Sequence, residues 1–78
     1  MHLEIITPEK KVYNGEVTMV NLPGSDGSFG LLENHAPIIS TLKMGVIKVV
    51  EQDNSEKTFE VNGGVVEMNN NKVIVLAE

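Results

Sequence analysis

Apolar residues in this chain come in short, β-branched runs broken by turn residues, and hardly any stretch carries a helical period. Residues 2–7 form the first predicted strand, closed by Pro8. Residues 12–22 form the next, interrupted by Asn14-Gly15, a dipeptide suited to turns with positive φ. Within it, Val17 and Met19 are expected to point one way and Val20 and Leu22 the other. Residues 23–27 (Pro-Gly-Ser-Asp-Gly) read as a loop. Further strands are predicted over 29–33, 36–42 after an Asn34-His35 corner, and 46–51 opened by Gly45. Three more turns and strands follow. Residues 52–55 turn the chain into 56–61, where Phe59 and Val61 face inward against Thr58 and Glu60. Gly63-Gly64 then precedes a last hairpin of 65–68 and 72–77, turned by three asparagines that tolerate left-handed backbone.

This pattern predicts an all-β domain, an antiparallel β-sandwich or flattened barrel of about ten strands. One irregularity stands out. Ile5-Ile6, Ile38-Ile39, Val49-Val50 and Val65-Val66 are consecutive apolar pairs, whereas a strand buried on one side needs only every second residue apolar. Stray exposed apolar residues are common on any surface. Several such pairs in so short a chain point instead to an outer face covered by another protein.

At 78 residues the chain makes one domain. A chain this small buries only about 60% of its unfolded surface, so its own core supplies modest stability. It has no cysteine, which excludes a disulfide framework and a Cys-based zinc site. No secretory signal, long apolar span or glycosylation acceptor is evident, and the expectation is a soluble, cytosolic protein. The net charge is −5, from eleven acidic and six basic residues, and Lys10-Lys11 is the one adjacent basic pair. An acidic chain without a basic stripe is a poor partner for nucleic acid or anionic lipid.

Candidate chemistry is sparse. His35 is the natural suspect for acid–base work, since histidine is the side chain used most readily for it near neutral pH. A nucleophilic mechanism would also need an activated Ser or Thr with an orienting acid, and strand spacing does not bring Ser40, Thr41 and Glu33 together. His2 and His35 are the only histidines, too few for a zinc site without a set of partners. Asp26 lacks the alternating acidic oxygens of a calcium loop. The glycine-rich stretch 24–30 lacks the Gly-Lys-Ser/Thr ending that cradles phosphate. No catalytic, cofactor or metal site is therefore predicted.

The order of residues is more specific than any single motif. Pro23-Gly24-Ser25-Asp26-Gly27, Phe29-Gly30-Leu31-Leu32, His35-Ala36-Pro37, Leu42 and Gly45 occur in sequence. They are flanked by Thr7-Pro8-Glu9 and Tyr13-Asn14-Gly15-Glu16-Val17 before, and by Asn62-Gly63-Gly64-Val65-Val66-Glu67 after. This ordered set resembles the N-terminal β-sandwich domain of the ATP synthase epsilon subunit, whose mitochondrial counterpart is called delta. The likeness spans essentially the whole chain.

The resemblance implies a non-catalytic central-stalk rotor subunit that links the gamma shaft to the membrane c-ring. Such a subunit helps couple proton- or sodium-driven rotation to ATP synthesis, at the cytoplasmic face of the inner (plasma) membrane. It implies protein partners only, the gamma subunit and the c-ring loops, without bilayer insertion. Carried over by position, Asp26, Gly27 and Ser28 match the ring-facing turn, and Ser28 stands where many members have an acidic residue. His35, Ala36, Ile38, Ile39, Ser40, Thr41 and Leu42 match the shaft-contacting region, and Glu33 stands where many members have a proline. Typical members continue into a C-terminal helical hairpin that restrains ATP hydrolysis; this sequence stops after the last strand, so no such restraint is expected of it. A free-standing β-sandwich adaptor or ligand-binding domain is the alternative, and a small hydrolase using His35 as base is a third.

Overall fold

The computed structural model describes all residues, Met1–Glu78, and contains eight strands and no helix. They are β1 (His2–Ile6), β2 (Lys11–Gly24), β3 (Gly27–Leu32), β4 (Ile38–Leu42), β5 (Gly45–Glu51), β6 (Glu56–Val61), β7 (Gly64–Asn69) and β8 (Lys72–Ala77). The count falls below ten partly because Asn14-Gly15 does not turn the chain. Neither residue has positive φ, and β2 runs unbroken for 14 residues. Gly15 serves a different end there: a β-carbon on it would meet the Tyr13 hydroxyl at 3.0 Å, so the bare backbone leaves room for that ring. The expected 23–27 loop also shrinks. Pro23 and Gly24 end β2, Gly27 opens β3, and only Ser25 and Asp26 form the turn.

Strand pairing explains the architecture. The first half of β2 pairs with β1, and its second half pairs with β3 on one side and β5 on the other. β1 continues to β8, β8 to β7 and β7 to β4, which returns to β2 through the single pair Gly24–Leu42. The long β2 thus pairs with four strands, β1, β3, β4 and β5, and β5 carries β6 at the edge. The ring formed by β1, β2, β4, β7 and β8 has an odd number of members. Alternating directions cannot close an odd ring, so one parallel pair is forced, and it falls at β1–β8. The sheet is therefore mixed rather than wholly antiparallel.

A bulge corrects the predicted facing of β2. The register with β5 shifts between Val17 and Met19, which moves the inward phase by one residue. Val17, Val20 and Leu22 are all fully buried as a result. They join a core of 16 residues that includes Leu3, Ile5, Leu31, Ile47, Val49, Val66, Val73 and Val75. Each such aliphatic side chain contributes about 1.5–3 kcal/mol when buried. No polar side chain is buried. Phe59 and Val61 do face inward, and Thr58 and Glu60 are exposed. The last hairpin turns through Asn70 and Asn71, both with positive φ, as the asparagine run predicts.

Candidate docking surfaces

The consecutive apolar pairs each split across the sheet. Ile5, Val49 and Val66 enter the core, while Ile6 and Val50 are half-buried and Val65 stays outside. In the fourth pair, Ile38 packs against the core and Ile39 is 72% exposed. Register brings the outward members together with residues from other strands. Thr41 lies opposite Val65, Val65 opposite Leu76, and Leu76 beside Ile6. One step along, Ile39 lies opposite Glu67, Glu67 opposite Ile74, and Ile74 beside Glu4. The outer face therefore carries an apolar strip over Val65 of β7, Leu76 of β8 and Ile6 of β1, with Val65 39% and Leu76 55% exposed, and Ile39 of β4 flanks it beside Thr41 and Glu67. The sequence pairs flag Val65 and Ile39. Ile74 and Leu76 belong to the apolar run of residues 73–77, whose phase is not visible in the sequence, and only the register reveals which of them face outward and beside what.

The segment 35–42 does not present all its residues to one side. In β4, Ile38, Ser40 and Leu42 stand opposite Met68, Val66 and Gly64 on the inward phase, and Leu42 is buried. Ile39 and Thr41 point outward, because successive side chains of a strand alternate. His35 and Ala36 lie exposed on the corner before β4. Asp26, Gly27 and Ser28 are exposed at the β2–β3 turn. A short path joins the two regions: Thr41 Oγ1 donates to Ser25 Oγ at 2.8 Å, and Ser25 N–H donates to the Thr41 carbonyl at 3.0 Å.

Neighbouring elements hold the corner. Asn34 adopts φ 64°, and its N–H donates to Asn71 Oδ1 at 2.8 Å, so the β7–β8 turn braces it. His35 N–H donates to the Leu32 carbonyl, and its ring Nδ1 lies 2.7 Å from the Ala36 carbonyl oxygen. Glu33 Oε1 accepts from the Met1 α-ammonium at 2.9 Å. The groups that a His35-based nucleophile would need are thus occupied elsewhere, Glu33 with Met1, Ser40 with the Thr41 carbonyl, and Thr41 with Ser25. No group of three or more acidic or histidine side chains is placed to hold a metal ion, and no helix is long and apolar enough to cross a membrane.

Charge is arranged beside the apolar strip. Glu4 lies 3.3 Å from Lys11 Nζ, 3.6 Å from Lys72 Nζ and 3.7 Å from His2 Nε2. The hydrogen bond from Lys11 holds its carboxyl below the usual range, with Lys72 and His2 adding attraction. His2 Nδ1 also lies 2.8 Å from Glu16. The basic groups there are engaged with acids of the same chain.

The family described as ATP synthase, delta/epsilon chain, beta-sandwich domain matches residues 1–78. The chain belongs to that family. The ATP synthase epsilon chain of Sulfurimonas denitrificans is 46% identical over 78 residues, covering all of this chain and 60% of that protein. The epsilon chain of Chlorobium limicola is 43% identical over 76 residues, covering 97% of this chain and 86% of that one. The chain spans about 60% of the length of the first of these relatives. Among solved structures, the Euglena gracilis mitochondrial ATP synthase assembly of OSCP, F1 and c-ring contains a chain matching with TM-score 0.88 at 16% identity. That match covers 96% of this chain and 48% of the other. The central stalk and c-ring structure of the Tetrahymena thermophila mitochondrial enzyme matches with TM-score 0.79 at 19% identity, over 99% of this chain and 62% of the other. At such identities these structures establish the fold alone. The ordered motif set and the wound pairing of β2 therefore describe one object.

Proposed function

We propose that this chain is the β-sandwich module of a central-stalk rotor subunit, linking the gamma shaft to the c-ring of a proton- or sodium-driven ATP synthase. The observation that carries this reading is the apolar strip of Val65, Leu76 and Ile6, flanked by Ile39, beside an exposed polar turn at Asp26–Ser28. A coupling element must keep two partners in register while torque passes. That calls for a stiff core and separate surfaces, each burying on the order of 1,000 Å² or more in a stable contact.

The strip suits the shaft, because burying it removes water from apolar side chains left partly or largely exposed in the free chain. His35 and Ala36 extend that contact from the corner. Ile39 and Thr41 supply it from β4, while Ile38, Ser40 and Leu42 support them from beneath. The turn suits the ring, with Asp26 supplying the acidic group and Gly27 and Ser28 a small polar surround. The module is non-catalytic in this reading and works at the cytoplasmic face of the inner (plasma) membrane.

Co-expression with a gamma subunit tests the proposal. A stable one-to-one complex that also retains c-ring supports it. A chain that purifies alone and binds neither partner returns the sandwich to the class of free-standing adaptors.

A further inference from the structure

The turn and the outer strand are joined at one narrow point. β4 meets β2 through a single residue pair, Gly24–Leu42. Around that pair, Ser25 N–H donates to the Thr41 carbonyl at 3.0 Å and Lys43 N–H donates to the Pro23 carbonyl at 2.9 Å. Thr41 Oγ1 closes the set by donating to Ser25 Oγ at 2.8 Å. This side-chain bond joins residues 16 apart in sequence, and both are exposed. Asp26 follows Ser25 directly, and Ile39 is the next outward residue before Thr41 on β4. Two surfaces assigned to different partners thus flank one hydroxyl–hydroxyl clasp.

We infer that the Thr41–Ser25 clasp couples the two contacts, so that docking at the outer face of β4 raises the affinity of the Asp26 turn for its own partner. The inference rests on the rotor reading above. In the free chain water competes for both hydroxyls, and an exposed hydrogen bond of this kind adds only a little order to the turn. A partner covering Thr41 excludes that water and strengthens the bond. The turn is then held in the conformation that presents Asp26, with its ordering already complete before the second partner arrives. Linkage makes the effect reciprocal: a ring held at Asp26 steadies Thr41 for the shaft to the same degree. A single clasp of this type supports a gain of about three- to tenfold.

The test uses the full chain, the gamma subunit and detergent-solubilised c-ring. Affinity for the ring is measured with and without saturating gamma, for the wild type, Ser25→Ala, Thr41→Val and the double variant. Amide exchange at the Ser25–Asp26 turn is followed in the same chains with gamma bound. The wild type is expected to bind the ring about three- to tenfold more tightly when gamma is bound. Ser25→Ala should lose that gain, and Thr41→Val on the Ser25→Ala background should remove nothing further. Turn exchange should quicken in each single variant and no more in the double.

A ring affinity indifferent to gamma, or a full gain retained by Ser25→Ala, overturns the clasp while leaving the rotor reading intact. A wild-type chain that binds neither partner takes down both, and the wild-type arm alone reveals it.

Discussion

Tyr13 Oη donates a hydrogen bond to Glu51 Oε2 at 2.5 Å, fastening the first half of β2 to the end of β5. Lys57 Nζ approaches the same carboxylate oxygen to 3.3 Å and lies 5.7 Å from the Tyr13 ring centroid, while Phe59 packs against the ring at 5.5 Å. Ser55 Oγ donates to the other Glu51 oxygen at 2.8 Å, so the β5–β6 turn is tied into the same group.

Burial, followed by the bond to Glu51, pushes the Tyr13 hydroxyl up to about 12. It is the only tyrosine and the chain has no tryptophan, so its ultraviolet titration is free of overlap. The midpoint is expected well above the ordinary 10, and Glu51→Gln should bring it down. A wild-type midpoint near 10 would contradict the geometry.

Stability should fall at both ends of the pH range. The Tyr13 contribution is complete below pH 10 and is lost as pH rises through about 12, because the unfolded chain ionises first. Glu51, Glu4 and Asp53 act in the opposite sense. Glu51 is lowered chiefly by the bond from Tyr13, Glu4 by Lys11 and Asp53 by Ser55, so their contributions hold above the usual carboxylate range and are lost as pH falls below it. Urea midpoints measured from pH 3 to 12 should trace a plateau with two shoulders, and Tyr13→Phe should flatten the alkaline one.

Gly64 is irreplaceable for a steric reason. Its φ is 147°, and a β-carbon there would run into the Leu76 carbonyl oxygen across the β7–β8 pair. Gly64→Ala is expected to cost about 2 kcal/mol or more in urea unfolding. Gly30→Ala is the matched control, since its β-carbon would find nothing nearer than the Val20 carbonyl at 3.9 Å, and it should change stability by less than about 0.5 kcal/mol.

Ile39→Ser and Leu76→Ser probe the apolar strip. Ile39 is largely exposed in the free chain and Leu76 about half exposed, so unfolding should shift by less than about 1.5 kcal/mol for either. Affinity for gamma should drop about tenfold for either, measured by titration of the isolated subunits. Equal affinity for both variants and the wild type would move the shaft contact elsewhere.

Asp26→Lys probes the turn. Association with the c-ring should slow at low salt, with the difference shrinking as ionic strength rises past the range where charges are screened. Rates that match the wild type at low salt would remove Asp26 from the contact.

Several features of this fold are legible in the residues alone. Alternation in β6 turns Phe59 and Val61 inward against exposed Thr58 and Glu60, and Asn70-Asn71 sets the turn between β7 and β8. Each of these is a local matter, decided by side-chain period and by the left-handed tolerance of asparagine. The ordered motifs from Pro23 to Gly45 likewise point to the family from sequence, and the family match over residues 1–78 agrees.

Other features depend on contacts between distant residues. Asn14-Gly15 has the composition of a turn, but pairing with Leu3 and Glu4 in β1 keeps it extended, since the ladder satisfies the backbone groups a turn would leave free. The bulge at Val17–Met19 reverses the inward phase of β2, a shift that follows from register with β5. Leu76 joins Val65 and Ile6 only because β8 lies between β7 and β1. Alternation along a strand thus settled which residues are apolar on each side, whereas the neighbours that turn separate outward residues into one surface were decided by strand order. A side chain's phase follows its own strand except where a bulge, as in β2, resets it; its partners across the sheet are a property of the closed ring.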